Sequence, residues 1–209
     1  MQTDTPTLAI DVSPRTRGLF IKNLADFQTE LARVHAGFVP AMIIWAHRKK
    51  LPMLIFQSMR RIQDLRVRAR ELGLSLGQLH LSTGVACRGL LDELCHAQTP
   101  ADLLHAGMIL IPRLLATAID DYLKNNNGVY DSPSAPLLEA SRNELNLQIK
   151  WAEEAVSTLK RDTGQQPQAD WVDKVTALAA GLPEALEEHT HKTAKPMCAG
   201  RRTSHVCVR

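Results

Sequence analysis

The sequence predicts an all-α protein built on four long amphipathic helices, the pattern of a four-helix bundle. Along four separate segments, apolar residues return every three or four positions, the spacing that places side chains on one face of a helix. Hydrophobic residues make up 44% of the chain and aromatic residues only 4%, so aliphatic side chains must fill most of the core. No run of β-branched residues alternates with period two, so no strand is predicted.

The first predicted helix follows Ser13-Pro14 and closes or bends at Gly37 and Pro40. Its apolar stripe has a 4-3-4-3-4 spacing and consists of Phe20, Leu24, Phe27, Leu31, Val34 and Phe38. The second helix begins after Pro52, with a short helix possible before it, and stops at Leu72-Gly73, since glycine commonly follows a last helical turn. Its stripe consists of Ile55, Ser58, Ile62, Leu65, Ala69 and Leu72.

A shorter helix is predicted within residues 75–97. The third long helix starts at residues 99–102, because Thr99 can cap a helix and Pro100 suits its first turn. It runs to about Leu123, with an interruption or kink near Pro112.

The fourth long helix starts after Pro133 and ends before Gly164. Its stripe consists of Leu138, Ser141, Leu145, Gln148, Ala152, Ala155 and Leu159. A last short helix, from Trp171 to about Leu178, precedes Gly181 and Pro183.

Charge divides the chain into a helical domain and a tail. We expect a flexible lead over residues 1–14, one helical domain over 15–188, and a basic, disordered tail over 189–209. The tail holds five of the 25 Lys and Arg residues and no acid, which leaves 20 basic against 22 acidic residues elsewhere. Because the net charge of +3 comes from the tail, nucleic acid is expected to bind weakly at most, and through the tail. His and Cys in the tail could also hold zinc, but their spacing matches no zinc finger.

Nothing in the sequence indicates export or a membrane span. The most apolar stretch, residues 106–119, contains Pro112 and Arg113 and is shorter than the ~20 residues that cross a bilayer. No basic segment followed by an apolar run opens the chain, and the cysteines form no spaced framework. We therefore expect a cytoplasmic protein that does not enter a membrane and that has a protein partner or forms a homo-oligomer.

Three stretches resemble a bacterial ferritin-like family of uncharacterised function, over roughly residues 20–160. Residues 31–40, LARVHAGFVP, are similar to the end of its first helix, and Leu65-Arg66-x-Arg68 with Leu72 to the end of its second. Residues 130–133, YDSP, followed by a long helix with QIKW at 148–151, resemble the start of its last. The resemblance implies a ferritin-like four-helix bundle and, in relatives with intact ligands, a non-haem metal site. An all-α array unrelated to ferritins is the alternative fold.

The resemblance also implies where metal ligands would lie, and this chain has other residues there. The acid-x-x-His pattern of the second helix falls on Ser58 and Arg61, the Glu-x-x-His pattern of the fourth on Leu145 and Gln148, and the first-helix acid on or near Gln28. Serine and glutamine are poor ligands, leucine is none, and arginine repels a cation. These positions are predicted to form a vestigial site without a cofactor. The alternative is that the polar ones are ordinary core residues and Arg61 lies on the surface.

Two functions follow from these patterns. The first is a non-catalytic ferritin-like protein, a pseudo-enzyme that has lost its di-metal site and acts by binding a partner. The second is a non-haem iron or manganese oxidase or oxygenase with a displaced ligand set. Glu93 and His96, the Glu-x-x-His pair within the helical domain, would be its metal ligands, joined by nearby acids and histidine if the fold brings them close. Those candidates are Asp92, His105, Asp120 and Glu144. The first function is preferred, because the expected ligands are missing.

Overall fold

The computed structural model describes residues 14–75, 85–125 and 131–187, and these ranges contain helices and no strand. The all-α prediction is therefore confirmed for the described chain. The predicted tail and residues 1–13 of the predicted lead lie outside the described residues. The helices are α1 Pro14–Phe38, α2 Trp45–Glu71, α3 Val85–Leu94, α4 Pro100–Asn125, α5 Ser134–Thr163, α6 Ala169–Ala179 and α7 Leu182–Glu187.

The four long helices form two hairpins. In the first hairpin α2 turns back along α1, so that Arg66 near the end of α2 donates to Thr29 of α1 over 3.1 Å. In the second, α5 turns back along α4, and Arg142 of α5 pairs with Asp120 of α4 over 2.7 Å. Both pairs are antiparallel, as short connections between successive helices require.

The two hairpins pack side by side, again with antiparallel neighbours. Residues near the end of α2 meet the start of α5, where Arg68 donates to Ser134 over 2.7 Å. Residues near the start of α1 meet the end of α4, where the rings of Phe20 and Tyr122 stack at 4.7 Å. Consequently α2 and α4 run in the same direction. The chain between them must return along the length of the four helices, and α3 lies in this crossover.

Two apolar clusters fill the interior. One cluster joins the first part of α1 and the last parts of α2 and α4 to the short helices α3, α6 and α7. The other lies at the opposite end and joins the first parts of α2 and α4 to the last part of α5. All seven residues of the predicted α5 stripe are buried. Where the clusters meet, the polar residues Gln28, Ser58 and Gln148 interrupt the apolar interior, and we call these three the polar layer.

The predicted helix boundaries with a chemical signal are confirmed. Thr99 caps α4 in a reciprocal arrangement, because its hydroxyl accepts from the backbone N–H of Asp102 while the Asp102 carboxylate accepts from Thr99 N–H. Gly73 and Gly164, which follow α2 and α5, have φ of 90° and 71°. This left-handed conformation suits glycine.

At other positions, proline and glycine predicted the helix boundaries less well. The prediction that the second helix begins after Pro52 is wrong, because α2 starts at Trp45 and carries Pro52 inside it. An internal proline costs about 3 kcal/mol, and the burial of Leu51 and Leu54 on either side offsets that cost. Gly181 and Pro183 do not end the helical region, because Pro183 lies in the first turn of α7.

The interruption predicted near Pro112 takes the form of a wider helical turn. Residues Ala106–Leu110 of α4 are π-helical, just before the proline, whose missing N–H leaves an earlier carbonyl without its α-helical donor. By length and composition α4 could also span a membrane, which the sequence analysis did not expect. However, 72% of its most apolar window is buried inside the protein, as in many core helices.

Candidate functional site

The five predicted vestigial positions come together in the interior. Gln28, Ser58, Arg61, Leu145 and Gln148 all line one cavity of about 10 Å³. All except Arg61 also line a second cavity of about 20 Å³, which has apolar walls from α1, α2 and α4. A cavity of this size has room for about one water molecule. The structure therefore places on facing helices the positions that the family resemblance relates to metal ligands.

A direct hydrogen bond joins α2 to α5 across this centre. The side-chain amide of Gln148 donates to the hydroxyl of Ser58 over 2.6 Å. Gln148 is buried and Ser58 half-buried, so each polar group satisfies the other where water has little access. Both groups are thereby engaged with each other.

Gln28 completes the polar layer from α1. It is 7% exposed, and its Nε2 atom has no hydrogen-bond partner within the described part of the chain. This residue lines both cavities. Its amide therefore has spare hydrogen-bonding capacity at the cavity.

Arg61 is half-buried and lies close to two carboxylates. Its guanidinium Nε lies 3.5 Å from the Glu144 carboxylate of α5 and its NH1 lies 3.3 Å from Asp64. Burial raises the pKa of Glu144, and the nearby Arg61 charge opposes that rise. The positive charge of the Arg61 guanidinium therefore balances the negative charge of the Glu144 carboxylate, in the place of a metal cation.

His35 closes the side of the larger cavity towards α4. Its Nε2 lies 3.2 Å from the carbonyl oxygen of Gly107, and the side chain is 6% exposed. Burial lowers the pKa of His35 to about 4, although the Gly107 hydrogen bond opposes this shift. His35 is therefore a neutral packing residue at neutral pH. A Cβ atom on Gly107 would come within 2.9 Å of the imidazole, so a larger residue there would have to displace His35.

Glu93 and His96, the alternative metal ligands, lie away from this centre. The Glu93 carboxylate is 2.6 Å from Lys174 of α6, which lowers the pKa of Glu93. His96 is exposed after the end of α3, and its Nδ1 lies 2.7 Å from the carbonyl oxygen of Asp92. Two of the acids that could have joined them are engaged elsewhere: Asp120 with Arg142, and Glu144 with Arg61.

A second buried polar cluster escaped the sequence analysis. Asp131, with no exposed surface, accepts hydrogen bonds from Arg68 over 2.7 Å, from Tyr122 over 2.6 Å, and from Ser134. Burial and the bond to Asp131 raise the pKa of Tyr122, so the phenol stays protonated. The cluster ties α2, α4 and the start of α5 together at one end. The available signal was the YDSP stretch, which pointed to a helix start and not to an ion pair.

The chemistry available at the centre is hydrogen bonding and one ion pair. Across residues 14–75, 85–125 and 131–187, no three His, Cys, Asp or Glu side chains come together in a group able to hold a metal ion. No protein-family model, curated protein or solved structure matches this chain.

Proposed function

We propose that this protein is a ferritin-like four-helix bundle that has lost its di-metal site and acts by binding a partner. The chain path supports the ferritin-like part of this proposal. Two antiparallel hairpins joined by one long crossover, with α2 and α4 parallel, is the connectivity that distinguishes ferritin-like bundles from simple up-and-down bundles. The described residues 72–75 and 85–99 belong to the chain that makes this crossover.

The hydrogen bond from Gln148 to Ser58 carries the proposal. In the related family these two positions would hold metal ligands on facing helices. Here each side chain uses its polar group on the other. The Arg61–Glu144 pair supports the same interpretation, because a fixed positive charge beside the only carboxylate of the cavity lining opposes a second cation. At about 4 Å and an effective dielectric of about 20, one unit of like charge costs about 4 kcal/mol.

The partner-binding part rests on the surface. Large apolar side chains remain exposed, and a large exposed apolar surface is typical of proteins that bind a partner there. These side chains are Ile43, Trp45, Met53, Phe56, Met59, Val67, Leu147 and Leu178. We propose a partner-binding role for this surface.

Elemental analysis tests the loss of the metal site. Untagged protein would be purified without chelators from medium supplemented with iron and manganese. We expect no stoichiometric amount of either metal, because hard cations need several converging carboxylate or imidazole ligands. A stoichiometric ion that is lost when Glu93 and His96 are changed to Ala would instead establish the displaced-site enzyme.

A gain-of-function variant makes the test sharper. It would restore the family pattern through Gln28→Glu, Ser58→Glu, Arg61→His, Leu145→Glu and Gln148→His. The control repeats the Glu-x-x-His changes of α2 and α5 at exposed positions of those two helices, through Gln57→Glu, Arg60→His, Leu147→Glu and Lys150→His. We expect metal uptake in the first variant and none in the control, with circular dichroism to show that both remain helical. Equal uptake by the two would contradict the assignment of the site.

A further inference from the structure

The outer face of α2 carries an apolar stripe of large side chains. Trp45, Met53, Phe56 and Met59 are 64, 56, 63 and 39% exposed, and we call these four residues the α2 stripe. At 100° per residue they lie within a sector of about 120° and extend over about 21 Å of helix. The opposite face of the same helix is buried at Leu51, Leu54, Ile62 and Leu65. Thus α2 is apolar on two sides, and only one side has a partner within the described chain.

Positive charge surrounds the stripe. From Trp45 to Arg61, α2 contains five basic residues and no acid. Four of them form no ion pair with any carboxylate of the described residues: Arg48, Lys49, Lys50 and Arg60. The Lys49 ammonium lies 5.3 Å from the centre of the Trp45 ring, so charge and aromatic surface face the same side.

The neighbouring acids do not neutralise this surface. Asp64, the first acid of α2, pairs with Arg61 on the side that faces α5. Asp162 of α5 acts electrostatically on the buried His47 but pairs with Arg161. The stripe therefore lies beside four basic side chains that pair with no carboxylate of the described residues.

The positive charge beside the α2 stripe determines which kind of partner can bind there. Two copies of the chain joined through the stripe would bring the same basic residues face to face, and like charges across an interface are repulsive. The stripe is the convex side of a single helix whose flanks pack on α1 and α5, so it offers a ridge and no groove. Exposed tryptophan and phenylalanine between Lys and Arg are typical of helices that lie in the headgroup region of an anionic membrane.

We propose that the α2 stripe docks peripherally on an anionic lipid surface, with Trp45, Met53 and Phe56 inserted among the headgroups. This contact differs from a membrane span, which would require the buried helix α4 to leave the core. The proposal rests on the partner-binding role above and gives part of that apolar surface a lipid partner. The vesicle experiment and the metal analysis can still fail separately.

Vesicle sedimentation tests the proposal with the full chain. The probes are vesicles of equal parts phosphatidylcholine and phosphatidylserine, and vesicles of phosphatidylcholine alone. We expect sedimentation with the anionic vesicles only. Met53→Glu or Phe56→Glu should weaken partition about tenfold or more, and removing the charge of Lys49 or Lys50 should weaken it about fivefold each.

The matched control is Leu178→Glu, the same kind of change at an exposed leucine of α6, which packs on α3 and α4. It should partition like the unmodified chain. Tryptophan fluorescence gives a second readout, because insertion should shift the emission to the blue and Trp45→Phe should abolish the shift. No binding to anionic vesicles would overturn the proposal and leave the stripe to an acidic protein. Equal weakening by Leu178→Glu, or a shift that persists in Trp45→Phe, would also overturn it.

Discussion

Acid should destabilise the fold through His35. This side chain is buried against the Gly107 carbonyl, and burial lowers its pKa to about 4, whereas in an unfolded chain it titrates near 6.5. Below the unfolded pKa, the unfolded chain binds a proton that the folded chain does not yet accept. The contribution of neutral His35 is therefore fully present above about pH 6.5 and is lost as the pH falls towards 4.

The two pKa values set the size of this loss. Proton linkage gives a fall in the free energy of unfolding of about 2 kcal/mol between about pH 7.5 and about pH 5, and of about 3 kcal/mol by about pH 4. A domain of this kind typically has about 5–15 kcal/mol to lose. One histidine should therefore move the urea midpoint measurably in mild acid.

Urea unfolding followed by helical circular dichroism, repeated at several pH values, measures the effect. His35→Gln keeps a donor for the Gly107 carbonyl but cannot titrate, so its stability should fall less steeply in acid, by about 2 kcal/mol between the same pH values. His96→Gln, which removes an exposed imidazole, is the control variant. Burial also lowers the pKa of His47 and His105, so the informative quantity is the difference between the variants. If His35→Gln and the unmodified chain share one slope, the reasoning is refuted.

Three more substitutions test how the helices are held. Asp131→Asn should lower the free energy of unfolding by about 3 kcal/mol in urea titrations, because it leaves the Arg68 guanidinium without its buried carboxylate; full stability would contradict the role of that pair. Thr99→Ala should cost about 1 kcal/mol by loss of the helix cap, and an unchanged thermal midpoint would argue against the cap. Gly73→Ala should cost about 1–2 kcal/mol because φ is 90°, whereas Gly37→Ala, within α1 and with open space at its Cβ, should not destabilise.

The long helices could be predicted because burial on one face leaves a periodic trace. Every residue of the predicted α5 stripe is buried, including the polar Ser141 and Gln148, since helix geometry puts them on the same face as the apolar residues that pack in the core. Proline positions predicted the helix boundaries less well. Pro52 is tolerated inside α2 because tertiary burial around it outweighs a local penalty that sequence reasoning treats as decisive. Pro183, by contrast, lies in the first turn of α7, a position that proline favours.

The centre was predictable in position but not in its partners. Stripe positions on facing helices were enough to bring Ser58 near Gln148. The Arg61–Glu144 pair was not foreseen, because a charged residue beside a stripe has the same pattern whether it faces water or a neighbouring helix. Only the rotation of α2 against α5 decides this. For the same reason the deep burial of Asp131 was not predicted. Its partners Arg68 of α2 and Tyr122 of α4 lie 63 and nine residues away in sequence.

The hydrogen bond between Ser58 and Gln148 allows one last, decisive measurement. Ser58→Ala would leave the buried Gln148 amide without its acceptor, and Gln148→Met would remove the donor to Ser58, so each change should cost about 1–3 kcal/mol. The double variant replaces both polar groups with apolar ones of similar shape and should cost clearly less than the sum of the two. A coupling of about 1–2 kcal/mol in a double-mutant cycle, from urea unfolding, would show that the two side chains close the centre together. Strictly additive costs would mean that each side chain is satisfied independently. That result would contradict the proposal that the Ser58–Gln148 hydrogen bond closes a former metal site.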